Sequence, residues 1–277
     1  MPVALGLLAA LFYGAADFCG GLATKRTSIF AVVVVSQAVG FAIIVVLLPF
    51  FPASAGTTDY GWGLLAGICG GLGLALLYHA LSIGKMGVVS PITAVLAAIL
   101  PVVIGVLRGE RLSWFQALGI AIALIAVVLI SVSVDQAGRR EFSTAGVKEA
   151  IASGIVLGGF YTFLAFAGKH AGLYPLVAAR VGSVGFLIIL ALLLRKNMRP
   201  SNGTLPLIAL AGAIDMTANA LYLLATYAGY LSIAAVLTSL YPASTVLLAR
   251  FVLNERLQNV QKVGVGAALV GVVLIAI

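Results

Sequence analysis

Charged side chains are scarce in this chain: eight Asp and Glu and sixteen Lys and Arg make up only 9% of its 277 residues. Soluble globular domains carry roughly a quarter, so an ordinary water-soluble fold is excluded. Histidine is rarer still. His79 and His170 are the two present, which leaves no HExxH zinc helix, and neither a P-loop nor a GxGD aspartate pair occurs. The two cysteines, Cys19 and Cys69, lie inside apolar runs without paired spacing. They support neither a disulfide framework nor a metal site and read as packing residues. No cofactor or metal is implied. The formal charge of +8 is scattered at the ends of apolar runs, so no basic face for nucleic acid forms. No filter sequence of the kind a channel needs repeats along the chain.

What the chain has in abundance is hydrocarbon. It is 62% hydrophobic with a mean hydropathy of +1.19. Charge-free runs long enough to cross a bilayer recur at Thr27 to Thr58, Tyr60 to Gly84, Met86 to Leu107, Leu112 to Val134 and Ala150 to Gly168. They are continuously apolar instead of alternating, which selects helices over barrel strands. Ten spans are expected, near residues 3–24, 28–50, 61–83, 87–107, 113–134, 149–168, 172–194, 205–228, 231–252 and 259–277. The apolar start at Leu5 to Cys19 lacks a positive flank and is read as the first span, not a cleaved signal.

The polar turns reveal a duplication. Gly109-Glu110-Arg111-Leu112 with Gln116 and Gly119 returns as Asn254-Glu255-Arg256-Leu257 with Gln261 and Gly264, always 145 residues on. The same offset pairs Ala80 with Ala225, Gly84 with Gly229, Thr93 with Thr238 and Leu129-Ile130 with Leu274-Ile275. A first five-helix repeat is therefore expected over 1–134, a linker over 135–148 and a second repeat over 149–277. Five is an odd number of crossings, so the second repeat should enter from the opposite side: an all-α polytopic membrane protein of ten transmembrane helices in two inverted repeats.

Basic residues give an orientation. Turns after odd-numbered spans and their flanking helix ends hold twelve Lys and Arg, and the other side holds Arg108, Arg111 and Lys169. The positive-inside rule places the first group in the cytoplasm and both termini outside. Gly63, Gly67 and Gly71 recur every four residues in the third span, a stripe along which a neighbouring helix can approach closely. Pro242 in the ninth span faces Ala97 of the first copy.

Polar groups at membrane depth mark sites because they are expensive there. Asp215, Asn219, Tyr222 and Thr226 form one face of the eighth span, either lining a wet cavity or bonding between packed helices. Tyr78 and His79 stand in the third span; a lone His is as readily a packing residue as a ligand. Tyr13 and Asp17 share a face of the first span, where Asp17 can hold a proton, meet a cation or pair with Arg180. Arg180 is the one basic residue well inside a span, and either a structural ion pair with Asp17 or Asp215 or a contact to a substrate carboxylate would satisfy it. Gln37, Thr93, Tyr161, Thr238 and Ser239 complete the candidates, although small hydroxyls are often bonded to their own helix.

The duplicated halves, each closing on Glu-Arg-Leu, Gln and Gly before a last apolar helix, resemble the EamA family of the drug/metabolite transporter superfamily. Tyr13-Gly14 with Phe18, and Pro175 with Arg180, extend the likeness. The resemblance spans essentially the whole chain and implies a carrier whose central cavity is lined by the first, third, fourth, sixth, eighth and ninth spans. It also implies export of amino acids or similar small metabolites across the plasma membrane, the bacterial inner membrane, with YddG-type amino-acid exporters as the nearest branch. Tyr78, His79 and Asn219 would contact substrate, and Asp17 or Asp215 would carry a proton if transport is coupled. A multidrug exporter of lipophilic cations and, from another class, a membrane-embedded enzyme are the alternatives. Membrane lipids and the small-molecule substrate are the expected partners, and the two halves of a single monomer would complete the fold.

Overall fold

The computed structural model describes residues 1–84, 86–130, 145–253 and 259–276. All regular structure among them is helical. Eleven α-helices follow in order: α1 (Pro2–Thr24), α2 (Ile29–Leu47), α3 (Thr57–Ile83), α4 (Met86–Leu107), α5 (Trp114–Ile130), α6 (Val147–Phe166), α7 (Tyr174–Leu193), α8 (Leu205–Ala228), α9 (Leu231–Thr238), α10 (Tyr241–Leu253) and α11 (Asn259–Ala276). Short 3-10 turns at Leu48–Phe50 and Lys169–Ala171 extend two of the connections.

Helix starts follow from local chemistry. The Ser28 hydroxyl accepts from the Ala31 N–H at 3.1 Å to cap α2, and the Asp59 carboxylate accepts from the Gly56 N–H at 2.8 Å to cap α3. Ser113 and Gln116 form a reciprocal capping box on α5: the Gln116 N–H donates to Ser113 Oγ at 3.1 Å, and the Ser113 N–H donates to Gln116 Oε1 at 3.0 Å. This gives the repeated Gln of the duplicated turn its role in the first copy. The corresponding turn of the second copy, Asn254 to Leu257, and most of the expected linker at 135–148 lie outside the described residues.

The expected ninth span is not continuous. The chain breaks between α9 and α10 at Ser239-Leu240, where Leu240 N donates to Leu237 O at 3.3 Å and Ala243 N to Leu240 O at 2.9 Å. Pro242 has no N–H to return to the Thr238 carbonyl, which removes the bond that would have carried the helix through. Its counterpart α4, with Ala97 at the matching place, runs unbroken.

Packing partners come in pairs under the 145-residue offset. α1 lies on α8 as α6 lies on α3; α8 lies on α2 as α3 lies on α7; α9 and α10 together lie on α1 as α4 lies on α6; and α5 packs on α11. The glycine stripe of α3 fixes one of these contacts. A Cβ on Gly63 would fall on the Pro175 carbonyl, one on Gly67 on the Ala179 carbonyl, and one on Gly71 would lie 3.2 Å from Ser183 Cα, so α7 rides directly on the α3 backbone. Outward faces are apolar, with Leu8, Leu11, Ile125, Val128, Val181, Ile189, Leu192, Leu269, Val270 and Val273 all exposed. Such surface on so many helices is a lipid face. Six helices are long and apolar enough to span a bilayer outright, and the apolar stretches Ile92–Leu107, Trp114–Leu129, Leu231–Thr245 and Lys262–Ile275 are shorter.

Candidate functional site

Seven helices converge on a cavity of about 50 Å³. Its polar lining comes from Tyr13 and Asp17 of α1, Gln37 of α2, Tyr161 of α6, Arg180 and Ser183 of α7, Asp215 and Asn219 of α8 and Tyr241 of α10. The apolar side is Gly67, Gly70, Leu74 and Leu77 of α3, Leu157 and Phe160 of α6, and Leu176 and Ala179 of α7. The volume admits a few water molecules and is far below the roughly 300–1,000 Å³ of pockets that enclose drug-sized ligands.

Arg180 organises the polar side. It is 5% exposed, and its guanidinium donates to Asp215 Oδ2 at 2.7 Å, to Gln37 Oε1 and to Met216 Sδ at 3.3 Å. Of the two ion partners open to it in the sequence, Asp215 is the one it takes. Ser183, one turn further along α7, donates to the same Gln37 oxygen at 3.0 Å. A second chain of bonds runs beside this: Tyr13 Oη donates to Asn219 Oδ1 at 2.9 Å, and Asn219 Nδ2 donates to the Asp215 carbonyl at 2.6 Å. Rings close one end. Tyr161 meets Tyr222 at 4.7 Å, Phe160 at 5.2 Å and Tyr13 at 5.9 Å between centroids.

Asp17 differs from its neighbours. Only 8% exposed, it lines the cavity, yet it makes no hydrogen bond or ion pair with any described residue. With Arg180 matched by Asp215, the lining as ionised carries one negative charge more than positive.

Seven of the thirteen residues expected at the site therefore line the cavity: Tyr13, Asp17, Gln37, Tyr161, Arg180, Asp215 and Asn219. The other six do not. His79 is exposed on α3, next in sequence to the buried Tyr78. Tyr78 itself is 2% exposed and packs on α1, where a Cβ on Gly20 would collide with its hydroxyl, and Leu74 and Leu77 take the lining place on α3. Thr93 donates to the Ala150 carbonyl at 3.2 Å and joins α4 to α6. Tyr222 donates to the Tyr161 carbonyl at 3.0 Å and supports the ring cluster from behind. Ser239 bonds its own helix at Val236 O, 2.7 Å away. Thr238 Oγ1, at the helix break, is buried with no hydrogen-bond partner among the described residues.

The lining helices also differ from the expected set. None of the described α4 side chains lines the cavity, because Gly154 and Gly158 of α6 let α4 seat its Thr93, Leu96 and Leu100 on α6, away from the centre. α2 and α7 take its place, α7 being drawn inward by the glycine stripe. Ser183 and Tyr241 were not among the candidates. Ser183 stands i+3 from Arg180, a spacing that shares its helix face, while Tyr241 reaches the cavity through the break that Pro242 imposes.

The model of the EamA-like transporter family matches residues 1–132 and 144–277. The chain belongs to this family. EamA membership makes it a multi-pass membrane transporter of the drug/metabolite type, with a small molecule as cargo. It is 28% identical over 134 residues to an uncharacterized protein of Methanocaldococcus jannaschii, an alignment covering 47% of this chain and 96% of that one, so the relative is about the size of one half. A crystal structure of a protein at 16% sequence identity shares the fold, with a TM-score of 0.69 over 98% of both chains.

Proposed function

We propose that this EamA transporter is a secondary exporter of amino acids or similar small metabolites across the bacterial inner membrane, working by alternating access of two inverted five-helix halves. The observation that carries this reading is the cavity's lining: an internally neutralised Arg180–Asp215 pair, several neutral polar groups, aromatic rings and one unpaired carboxylate, drawn from both halves of the chain. A zwitterionic amino acid suits it. Its ammonium group meets Asp17, its carboxylate meets the hydrogen-bond donors around Arg180, and an apolar side group rests on Tyr161, Phe160 and the leucines. The paired packing under one sequence offset supports the inverted arrangement. A cavity of about 50 Å³ must widen before such a cargo can enter, as alternating access requires.

Asp17 also favours a second reading, export of lipophilic cations, for which a buried acid is the minimal counter-charge. Proteoliposomes separate the two. Loaded with a panel of labelled amino acids, and in parallel with a fluorescent lipophilic cation, they should lose the amino acid and retain the dye. Dye efflux without amino-acid efflux overturns the first reading, and an imposed pH gradient that changes neither flux removes a proton from the cycle.

A further inference from the structure

We propose that Glu110 is a latch that holds one face of the transporter shut by bonding the turn after α4 to the start of α9, across the two halves. The inference rests on the alternating-access reading and adds the device that biases it. Glu110 stands in the duplicated turn of the first half, yet among the described residues its carboxylate accepts its hydrogen bonds from the second. Its Oε1 accepts from the Leu231 N–H at 2.6 Å, and its Oε2 accepts from the Ser232 N–H at 3.1 Å and from Ser232 Oγ at 2.5 Å. These N–H groups are the free donors of the α9 first turn, where a carboxylate is held by both hydrogen bonds and the helix dipole. Ser232 Oγ further reaches the Val102 carbonyl of α4 at 3.3 Å. Gly105 makes the fit possible: a Cβ there would fall on both Glu110 Oε2 and Ser232 Oγ.

What the carboxylate grips is a separate short piece. α9 is eight residues long, is buried against α1 and α4, and ends at the Ser239-Leu240 break, so the proposed motion is of this segment as a unit distinct from α10. Holding its first turn against α4 fixes the segment on the face that carries the α4–α5 turn.

The duplication indicates a bias. At the matching places of the second copy the acid is kept as Glu255, but Gly105 is replaced by Arg250 and Ser232 by Gly87. The second copy therefore lacks the hydroxyl donor and has a basic residue in place of the glycine. Turns after the fourth and ninth spans emerge on opposite faces, so a strong latch stands on one face and a weaker sequence on the other. The Glu110 face is the one shut at rest.

Thiol labelling tests this without knowing the cargo. In a chain with Cys19→Ala and Cys69→Ala, a reporter Leu74→Cys is placed in the cavity lining and reacted with a membrane-impermeant maleimide from each face of the membrane. Glu110→Gln should raise labelling from the Glu110 face roughly tenfold, since it removes charge-assisted bonds, with no rise from the other face. Ser232→Ala, which spares the carboxylate and both backbone donors, should give a smaller rise on the same face and decides the matter should Glu110→Gln fail to fold. Unchanged labelling in the folded variants, or an equal rise from both faces, overturns the proposal. A transporter that moves no amino acid yet shows the one-sided rise loses the proposed cargo and keeps the latch.

Discussion

Arg180 and Asp215 permit a quantitative test. Two unit charges 2.7 Å apart attract by about 6 kcal/mol at an effective dielectric of 20, and moving them out of water costs several kcal/mol per ion. The two terms nearly cancel, so the intact pair contributes little net stability. Removing one partner is different, because it leaves the desolvation of the other uncompensated, typically about 3–5 kcal/mol. Here the Asp215 side chain keeps 15% exposure at a cavity that admits water, which lowers the expected loss for Arg180→Met to about 2–3 kcal/mol. For a chain of this size that is on the order of 5–10 °C in the detergent-solubilised melting temperature.

The double variant Arg180→Met/Asp215→Leu should recover most of this loss, since it leaves neither charge stranded. Transport should not recover with it, because the guanidinium beside which the proposed cargo's carboxylate would sit is gone. The measurement is a double-mutant cycle of melting temperatures with liposome flux on the same four proteins. A coupling below about 0.5 kcal/mol, within the additivity of independent sites, would falsify the pairing as an energetic unit. A double variant that regains full flux removes Arg180 from the site.

Asp17→Asn should abolish or uncouple transport while leaving the melting temperature unchanged or raised, because it deletes a buried acid whose carboxylate has no hydrogen-bond or ion partner among the described residues; a large drop in stability would contradict that absence. Tyr13→Phe strips Asn219 Oδ1 of its donor and should weaken apparent cargo affinity about fivefold, the worth of roughly 1 kcal/mol, as read from the concentration dependence of flux. Gly67→Ala places a methyl on the Ala179 carbonyl and should destabilise by about 1–3 kcal/mol and depress flux; a neutral result in thermal melts means α7 does not sit on α3 as described. His79→Ala should leave flux unchanged, since the side chain is exposed on α3 and lies outside the cavity lining, and any specific loss of transport returns His79 to the site.

The spans were legible because the bilayer imposes them. A stretch such as Tyr60 to Gly84 has nowhere else to go than through hydrocarbon, and the observed α3 begins three residues before it and ends one residue short of its end. Spacing alone was also enough for Tyr13 with Asp17 and for Asp215 with Asn219, which share helix faces whatever their neighbours do. It failed for Tyr78, His79 and Thr238 because rotation of a helix about its own axis is set by what it touches. The α3 stripe of glycines turns one face onto α7, and Tyr78 then falls against Gly20 instead of the cavity. Nothing within α3 fixes that rotation; it needs the identity of α7 as the partner, which the glycines announce without naming.

The duplicated turn gives a sharper case. Its Gln116, noted in the sequence only as a repeated residue, turns out to be a local cap whose partner Ser113 lies within one turn of chain. The contact of Glu110 is not local, because the groups it holds are 121 and 122 residues away in the other half. A motif repeated at a fixed offset advertises that the same contact is wanted twice, but not with whom. The carboxylate's long-range bond answers that for one copy. Where the copies diverge, at Gly105 against Arg250 and Ser232 against Gly87, the two contacts cease to be equivalent. An alternating-access carrier built from perfectly equal halves would rest equally on either side. Under the proposed latch, unequal contacts would make one side the resting one, so exchanging these two pairs of residues between the halves should reverse which face of the cavity reacts first with thiol reagent.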